Sequence, residues 1–228
     1  MTAQAGGAIP FSPAGPRSRM AEHTPEVRAL RRRLREQRLA FDGEARQRAQ
    51  DEICARLLRL PAMRRGARVA AYLAMPGEVD LSRCIERARR RGVRVYAPRI
   101  GSLRRREMRF ASLEPGAPDG RNAFGIVEPA CGAPSIAVIA LDVVIVPLVA
   151  FDRHGQRLGM GAGFYDRALR RLRDRDRRWR RPRLVGVAFS FQQVPSIPAA
   201  SWDVPLDLVV TERVLIVPRA EFHDRTVS

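Results

Sequence analysis

Residues 141–147, Leu-Asp-Val-Val-Ile-Val-Pro, form the most apolar run in a chain of 228 residues, and breakers bound the run on both sides. It is too short to span a bilayer and shows no alternation of polar and apolar positions. It therefore reads as a strand covered on both faces, the condition of a central strand in a parallel sheet. Parallel neighbours need long crossover connections, usually helices. A glycine-rich turn follows the run, and a helix is predicted beyond it over residues 165–173.

The flanking sequence supplies such crossovers. Thr24 is a cap, Pro25 suits a first helical turn, and Leu30, Leu34 and Phe41 continue at helical spacing. A second helix is predicted over 44–60. A buried strand over 68–73 leads to a turn at Met75, Pro76 and Gly77 and to a helix over 81–90 that Gly92 ends. Further strands are predicted over 93–97, 108–111, 184–189 and 206–210, and the Gly- and Pro-rich residues 114–133 read as loop. Strands alternating with helices imply an α/β fold: three αβα layers around a mostly parallel sheet with crossover helices. Residues 1–23, rich in Ala, Gly, Pro and Ser, read as a disordered leader, with Met20 as an alternative start. Residues 24–217 read as a single α/β domain and 218–228 as a C-terminal tail.

The formal charge of +18 would ordinarily suggest a polyanionic partner. Here every basic residue other than histidine is arginine, with no lysine, and the arginines spread over helices, loops and termini rather than forming one patch. Cys54, Cys84 and Cys131 are odd in number, far apart and without zinc-site spacing, as expected of a reduced intracellular protein. With no membrane-spanning stretch and no secretory signal pattern, the expected location is cytoplasmic.

The chemistry concentrates in residues 151–166. Gly159, Gly161 and Gly163 recur at every second position between a buried strand and a helix, which lets backbone amides approach an anion closely. Arg157 adds a guanidinium able to hold phosphate oxygens, and the start of the helix adds a favourable dipole. The spacing is neither a dinucleotide fingerprint nor a Walker loop, which would carry a lysine. Read from the residues alone, a phosphate loop and a flexible turn are about equally supported.

Residues 157–166, Arg-Leu-Gly-Met-Gly-Ala-Gly-Phe-Tyr-Asp, preceded by Pro-Leu-Val-Ala-Phe-Asp at 147–152, resemble the signature of the 5-formyltetrahydrofolate cyclo-ligase family. Residues 72–80, Tyr-Leu-Ala-Met-Pro-Gly-Glu-Val-Asp, are similar to that family's folate-contacting turn. Residues 96–99, Tyr-Ala-Pro-Arg, are similar to its following strand and residues 202–210 to its C-terminal strand, so the likeness runs over roughly 27–215. It implies a Rossmann-like cyclo-ligase fold and a ligase that uses ATP and magnesium to convert 5-formyltetrahydrofolate to 5,10-methenyltetrahydrofolate. In that reaction the formyl oxygen takes the terminal phosphoryl group, N10 attacks the activated carbon, and phosphate leaves.

By resemblance, Arg157, Leu158, Gly159, Met160, Gly161, Ala162, Gly163, Phe164 and Tyr165 wrap the ATP phosphates, and Arg157 and Tyr165 serve catalysis. Asp166 holds magnesium, with Asp207 as second candidate. Arg31 matches the nucleotide-contacting arginine of the family's first helix. The lysine four residues earlier falls on Val27, leaving Arg28 as its substitute, rotated about 100° around the helix. Met75, Glu78, Phe124 and Tyr165 would line the folate site, Glu78 receiving the pterin's donor groups. Without the resemblance these residues have ordinary readings. Arg28 and Arg31 would be a solvated helix face, Glu78 a helix-entry charge, and Met75 and Phe124 core. Tyr165 would anchor the helix start, Asp166 would be a first-turn charge and Asp207 a strand-edge charge.

Two other functions compete: a catalytically inactive folate or nucleotide binder, suggested by the missing lysine, and an RNA-associated protein, suggested by the Arg-rich residues 170–183. Interleaved Asp174 and Asp176 and the lack of an aromatic platform favour a solvated surface there. The expected partner is a small molecule, with neither nucleic acid nor membrane.

Overall fold

The structure, a computed structural model, describes residues 24–105, 107–114, 118–121, 127–172, 182–198 and 203–218. The expected leader, residues 219–228 of the tail, Phe124, Trp202 and most of the Arg-rich segment lie outside the described residues.

Helix α1 (Pro25–Ala40) begins where Thr24 Oγ1 accepts the Val27 N–H at 3.3 Å with proline in the first turn, and α2 (Gly43–Arg59) follows after a two-residue break. Strand β1 (Arg68–Ala70) leads through α3 (Ser82–Arg90) into β2 (Arg94–Ser102), its parallel neighbour. Then come β3 (Glu107–Ser112), a small hairpin of β4 (Pro118–Arg121) and β5 (Val127–Pro129), and β6 (Ser135–Ile136). The apolar run is β7 (Val143–Pro147), followed by a hairpin of β8 (Ala150–Phe151) and β9 (Arg157–Leu158) and by α4 (Phe164–Leu169). Strands β10 (Arg183–Val187), β11 (Leu208–Val210) and β12 (Leu215–Ile216) complete the described chain.

Eight strands form one sheet in the order β12-β11-β10-β7-β1-β2-β3-β6. The five from β11 to β2 are parallel, and the edge pairings β11–β12, β2–β3 and β3–β6 are antiparallel. The α/β expectation therefore holds, with β7 at the centre. Because side chains alternate across a strand, Val143 and Ile145 join Val69, Val95, Val185 and Val187 against Ile53, Leu57 and Ile85 of α2 and α3. Val144 and Val146 face the other way, with Ala70, Leu184 and Val209, onto Leu169 and Leu172 at and beyond α4. These are the three layers.

Several boundaries differ from the sequence reading. The 114–133 stretch contains β4 and β5, because backbone pairing in a hairpin needs no apolar alternation. β1 stops at Ala70 although Ala71 N still donates to Tyr96 O at 2.9 Å. The helix predicted over 165–173 becomes a six-residue α-helix closed by a tighter turn at Arg170–Leu172. Short edge strands β6 and β12 carried too little pattern to be foreseen.

The segment after β7 is shaped by Asp152, which is 1% exposed. Its Oδ1 accepts the N–H groups of His154 and Gln156 at 2.9 and 3.0 Å, closing the β8–β9 tip, and its Oδ2 accepts that of Ile197 at 2.9 Å. Gln192 is equally buried; its Nε2 donates to Leu148 O and Val149 O, each at 3.0 Å.

Replacing Asp152 with alanine strands one buried and two half-buried N–H groups and is expected to cost about 3 kcal/mol, read as a lower urea midpoint at unchanged slope. Gly186 makes a second test: a Cβ there would stand 2.5 Å from Leu206 Cδ1 and 2.9 Å from Leu148 Cδ2. Gly186→Ala is expected to lose about 2 kcal/mol by overpacking in the same titration.

Candidate active site

The site gathers at the carboxyl ends of the parallel strands, where open α/β sheets place their crevice. Helix α1 reaches it by laying Val27, Leu30 and Leu34 along the β8–β9 hairpin, against Val149, Ala150 and Leu158 together with Val194 and Ile197. That stripe recurs every three or four residues, so Arg31 and Arg38 ride on its flank.

Arg31 Nε donates to Gly159 O at 3.0 Å, fixing the start of the glycine loop. Gly161 and Gly163 have φ of 93° and 70°, conformations that glycine enters without strain, and Gly163 caps α4 in the left-handed region. A Cβ at Gly159 would meet nothing within 4 Å. The loop is open backbone with Gly161 and Ala162 exposed and Gly163 and Phe164 half-buried. Leu158 is buried beneath it and Met160 exposed above it.

Arg157 has a buried side chain that bonds the Asp166 carboxylate through Nη2 and Val204 O through Nη1. The Asp166 side chain remains 36% exposed, turned partly to solvent beside the loop. Tyr165, between them in sequence, has a buried hydroxyl without a hydrogen-bond partner. Burial first, then the Glu78 carboxylate, pushes its ionisation far up against the opposing pull of Arg157, so the hydroxyl stays a neutral donor.

Across the site, the turn after β1 carries Met75, half-buried, and Glu78, 7% exposed. Gly77, with φ of 85°, allows the chain to turn back so that Met75 N donates to Glu78 Oε2 at 3.0 Å. Burial raises the Glu78 pKa, while the Met75 N–H and the Arg38 charge pull it down. Tyr72 is buried beside it, its hydroxyl donating to Val79 O at 2.9 Å.

The structure thus brings together Arg31, Arg157, residues 158–165, Asp166, Glu78 and Met75. Arg28 lies exposed on α1, one turn before Arg31. The structure places Asp207 on another element. At the amino end of β11 its Oδ2 accepts the Leu184 N–H at 2.8 Å while its own N–H donates to Leu184 O at 2.8 Å. Asp142 makes the same pair of bonds to Arg68 at the amino end of β7. Asp207 is thereby a strand-tying carboxylate at the opposite end of the strands from Asp166.

Sequence reasoning missed Arg38 and Arg46. Arg38 is 3% exposed; its Nη1 donates to Leu148 O at 3.2 Å and its Nη2 to Met160 Sδ at 3.8 Å. Its spacing of seven residues from Arg31, on the flank of the apolar stripe, was the available signal. Arg46 Nη1 donates to Arg38 O and Phe41 O, each at 3.0 Å, and its Nη2 to Glu78 O. Nothing in the local pattern distinguishes Arg46 from the surface arginines of α2.

Residues 23–212 match the 5-formyltetrahydrofolate cyclo-ligase family. The chain is 35% identical over 181 residues to a protein of that name from Escherichia coli, covering 78% of this chain and 96% of that protein. It is 31% identical over 192 residues to the one from Haemophilus influenzae, covering 82% and 99%. Its fold is similar to the NMR structure of Aquifex aeolicus 5,10-methenyltetrahydrofolate synthetase, with a TM-score of 0.71 at 30% identity over 88% of this chain and 98% of that one. With a glycine loop, its arginines and a buried acid all lying within the residues that match, the chain belongs to the 5-formyltetrahydrofolate cyclo-ligase family.

Proposed function

We propose that the chain converts 5-formyltetrahydrofolate to 5,10-methenyltetrahydrofolate with consumption of ATP, assisted by magnesium, in the cytoplasm. The observation that carries the assignment is the placement of an open glycine loop, flanked by Arg31 and Arg157, within electrostatic reach of the buried acid Glu78, with the unpartnered Tyr165 hydroxyl acting between them.

The exposed loop amides and the Arg31 and Arg157 guanidiniums hold the phosphates, and Arg28 adds charge at the mouth. Asp166 is the carboxylate suited to magnesium: a hard oxygen donor, partly exposed and adjacent to the loop. Magnesium takes one or two carboxylates and completes its shell with phosphate oxygens and water, so this donor set fits it. When bound, the ion neutralises phosphate charge during transfer. Among the described residues no cluster of three or more His, Cys, Asp or Glu gathers, in keeping with an ion held chiefly through its nucleotide.

On the folate side, Glu78 accepts the pterin's N–H groups and Met75 lines the ring. Phe124 remains a candidate for stacking from sequence. Tyr165 donates its unused O–H toward the oxygen that passes from the formyl group to phosphate. The protein's contribution is alignment and charge neutralisation, which phosphoryl transfer needs more than covalent catalysis. With the formyl oxygen phosphorylated, N10 bonds the formyl carbon, the C–O bond breaks, and phosphate departs with the N10 proton.

Incubation with (6S)-5-formyltetrahydrofolate, magnesium and ATP is expected to generate the methenyltetrahydrofolate absorbance, and omission of ATP to abolish it. Glu78→Ala should lower kcat/KM for the folate by about 100-fold, the loss of a charged hydrogen-bond acceptor worth about 3 kcal/mol. Asp166→Ala should lower kcat/KM for the nucleotide while folate binding persists. No absorbance change from wild type that still binds both ligands would reject the enzyme in favour of an inactive binding relative.

A further inference from the structure

Arg38 brings a full charge into a place that removes it from water. Its Nη groups bond a backbone carbonyl and a thioether, neither of them anionic, and its Nε is buried without any partner. A guanidinium so placed is retained only where some other group benefits from its charge.

The neighbouring geometry identifies that group. The turn carrying Glu78 packs against this part of α1: a Cβ at Gly77 would stand 3.4 Å from Arg38 Cβ and 3.3 Å from Leu39 Cδ2. Arg46 then ties the two backbones together, donating to Arg38 O on one side and to Glu78 O on the other. The same Arg38 side chain grips the glycine loop at Met160 and the end of β7 at Leu148.

We infer that Arg38 is a positioning residue: locked to the glycine loop and held beside the Glu78 turn by Arg46, it keeps Glu78 a carboxylate able to receive the pterin. The inference rests on the reading of Glu78 as the pterin acceptor. Burial lowers the Arg38 pKa and raises that of Glu78; at Arg38 the strongest influence opposing burial is the Glu78 carboxylate, and at Glu78 the Met75 N–H opposes burial first and the Arg38 charge second.

The groups around this pair are Arg35 further up α1, Arg46 on α2, Tyr72 beyond β1, Asp80 beyond the turn and Tyr165 on α4. Tyr72 and Tyr165 are pushed up by burial and stay neutral, and Arg46 keeps its charge but donates to the Glu78 backbone carbonyl, while Arg38 is the cation that lowers the Glu78 carboxyl. Arg38 is therefore the cation whose loss Glu78 should register. An ionised Glu78 binds the pterin, so folate binding falls as pH drops through its pKa. Removing the Arg38 charge lifts that pKa and moves the loss to higher pH.

The test is a carbon-13 carboxyl NMR titration of glutamate-labelled full-length protein, with E78Q to assign the signal, in wild type, R38Q, R38M and R38K. R38M fills the same volume should R38Q not fold. Alongside it, 5-formyltetrahydrofolate binding without nucleotide is followed between about pH 5 and about pH 8. In R38Q or R38M the Glu78 titration and the acid limb of binding should both rise by about one pH unit or more, and R38K should return both toward wild type. Coincident titrations in all variants would overturn the role of Arg38. A titration that moves while E78Q binds folate like wild type would instead overturn the pterin reading of Glu78 and leave the electrostatic influence of Arg38 on Glu78 standing.

Discussion

The seam between α1 and the β8–β9 hairpin decides whether this chain has a site at all. Leu34, Val149, Ala150 and Leu158 are buried along it, and each larger aliphatic side chain so removed from water contributes about 2 kcal/mol. That energy is non-directional, but the helix it docks carries Arg31 and Arg38 two turns apart, and these side chains give the seam its register. Arg31 fixes Gly159, while Arg38 fixes Leu148 and Met160. Without the seam the glycine loop would still be a loop after a strand, but it would lack Arg31 and Arg38.

The arginine-only basic composition acquires an explanation from the same contacts. Arg46, Arg56, Arg91, Arg99, Arg157 and Arg167 all donate to backbone carbonyls of other segments, with Arg56 bonding Glu212 O at 3.1 Å and Arg91 bonding Leu58 O at 3.0 Å. A planar guanidinium with five donors can satisfy several carbonyls at helix ends and turns at once, which an ammonium does less well. Part of the positive charge thus serves as cross-linking between elements, a use that requires no polyanion.

The central strand, the capped first helix and the loop glycines were legible because each is a property of one segment: apolar content, a cap followed by proline, or glycine where φ must be positive. The acid turn was legible as well, since Gly77 and Glu78 lie in one short motif. The place of Asp207 was not legible, for the opposite reason. Its residue type suits magnesium, but whether a carboxylate meets a metal or a strand's N–H depends on which end of the sheet it occupies. Arg46 looked like any other arginine on α2.

By itself the sequence determined the buried parallel strand at the centre, the succession of strands and helices around it, and the glycine-rich loop that follows, since burial and backbone freedom leave their mark along the chain. Only the tertiary structure decided that residues 38, 46, 78, 148 and 160 meet, that Asp166 and Asp207 stand at opposite strand ends, and that Tyr165 holds an unmet hydroxyl. Apart from the contact of Arg38 with Arg46, those are relations between segments more than 30 residues apart. They follow from how layers stack and which carbonyls a long side chain can reach, and neither is written in the periodicity of a single element.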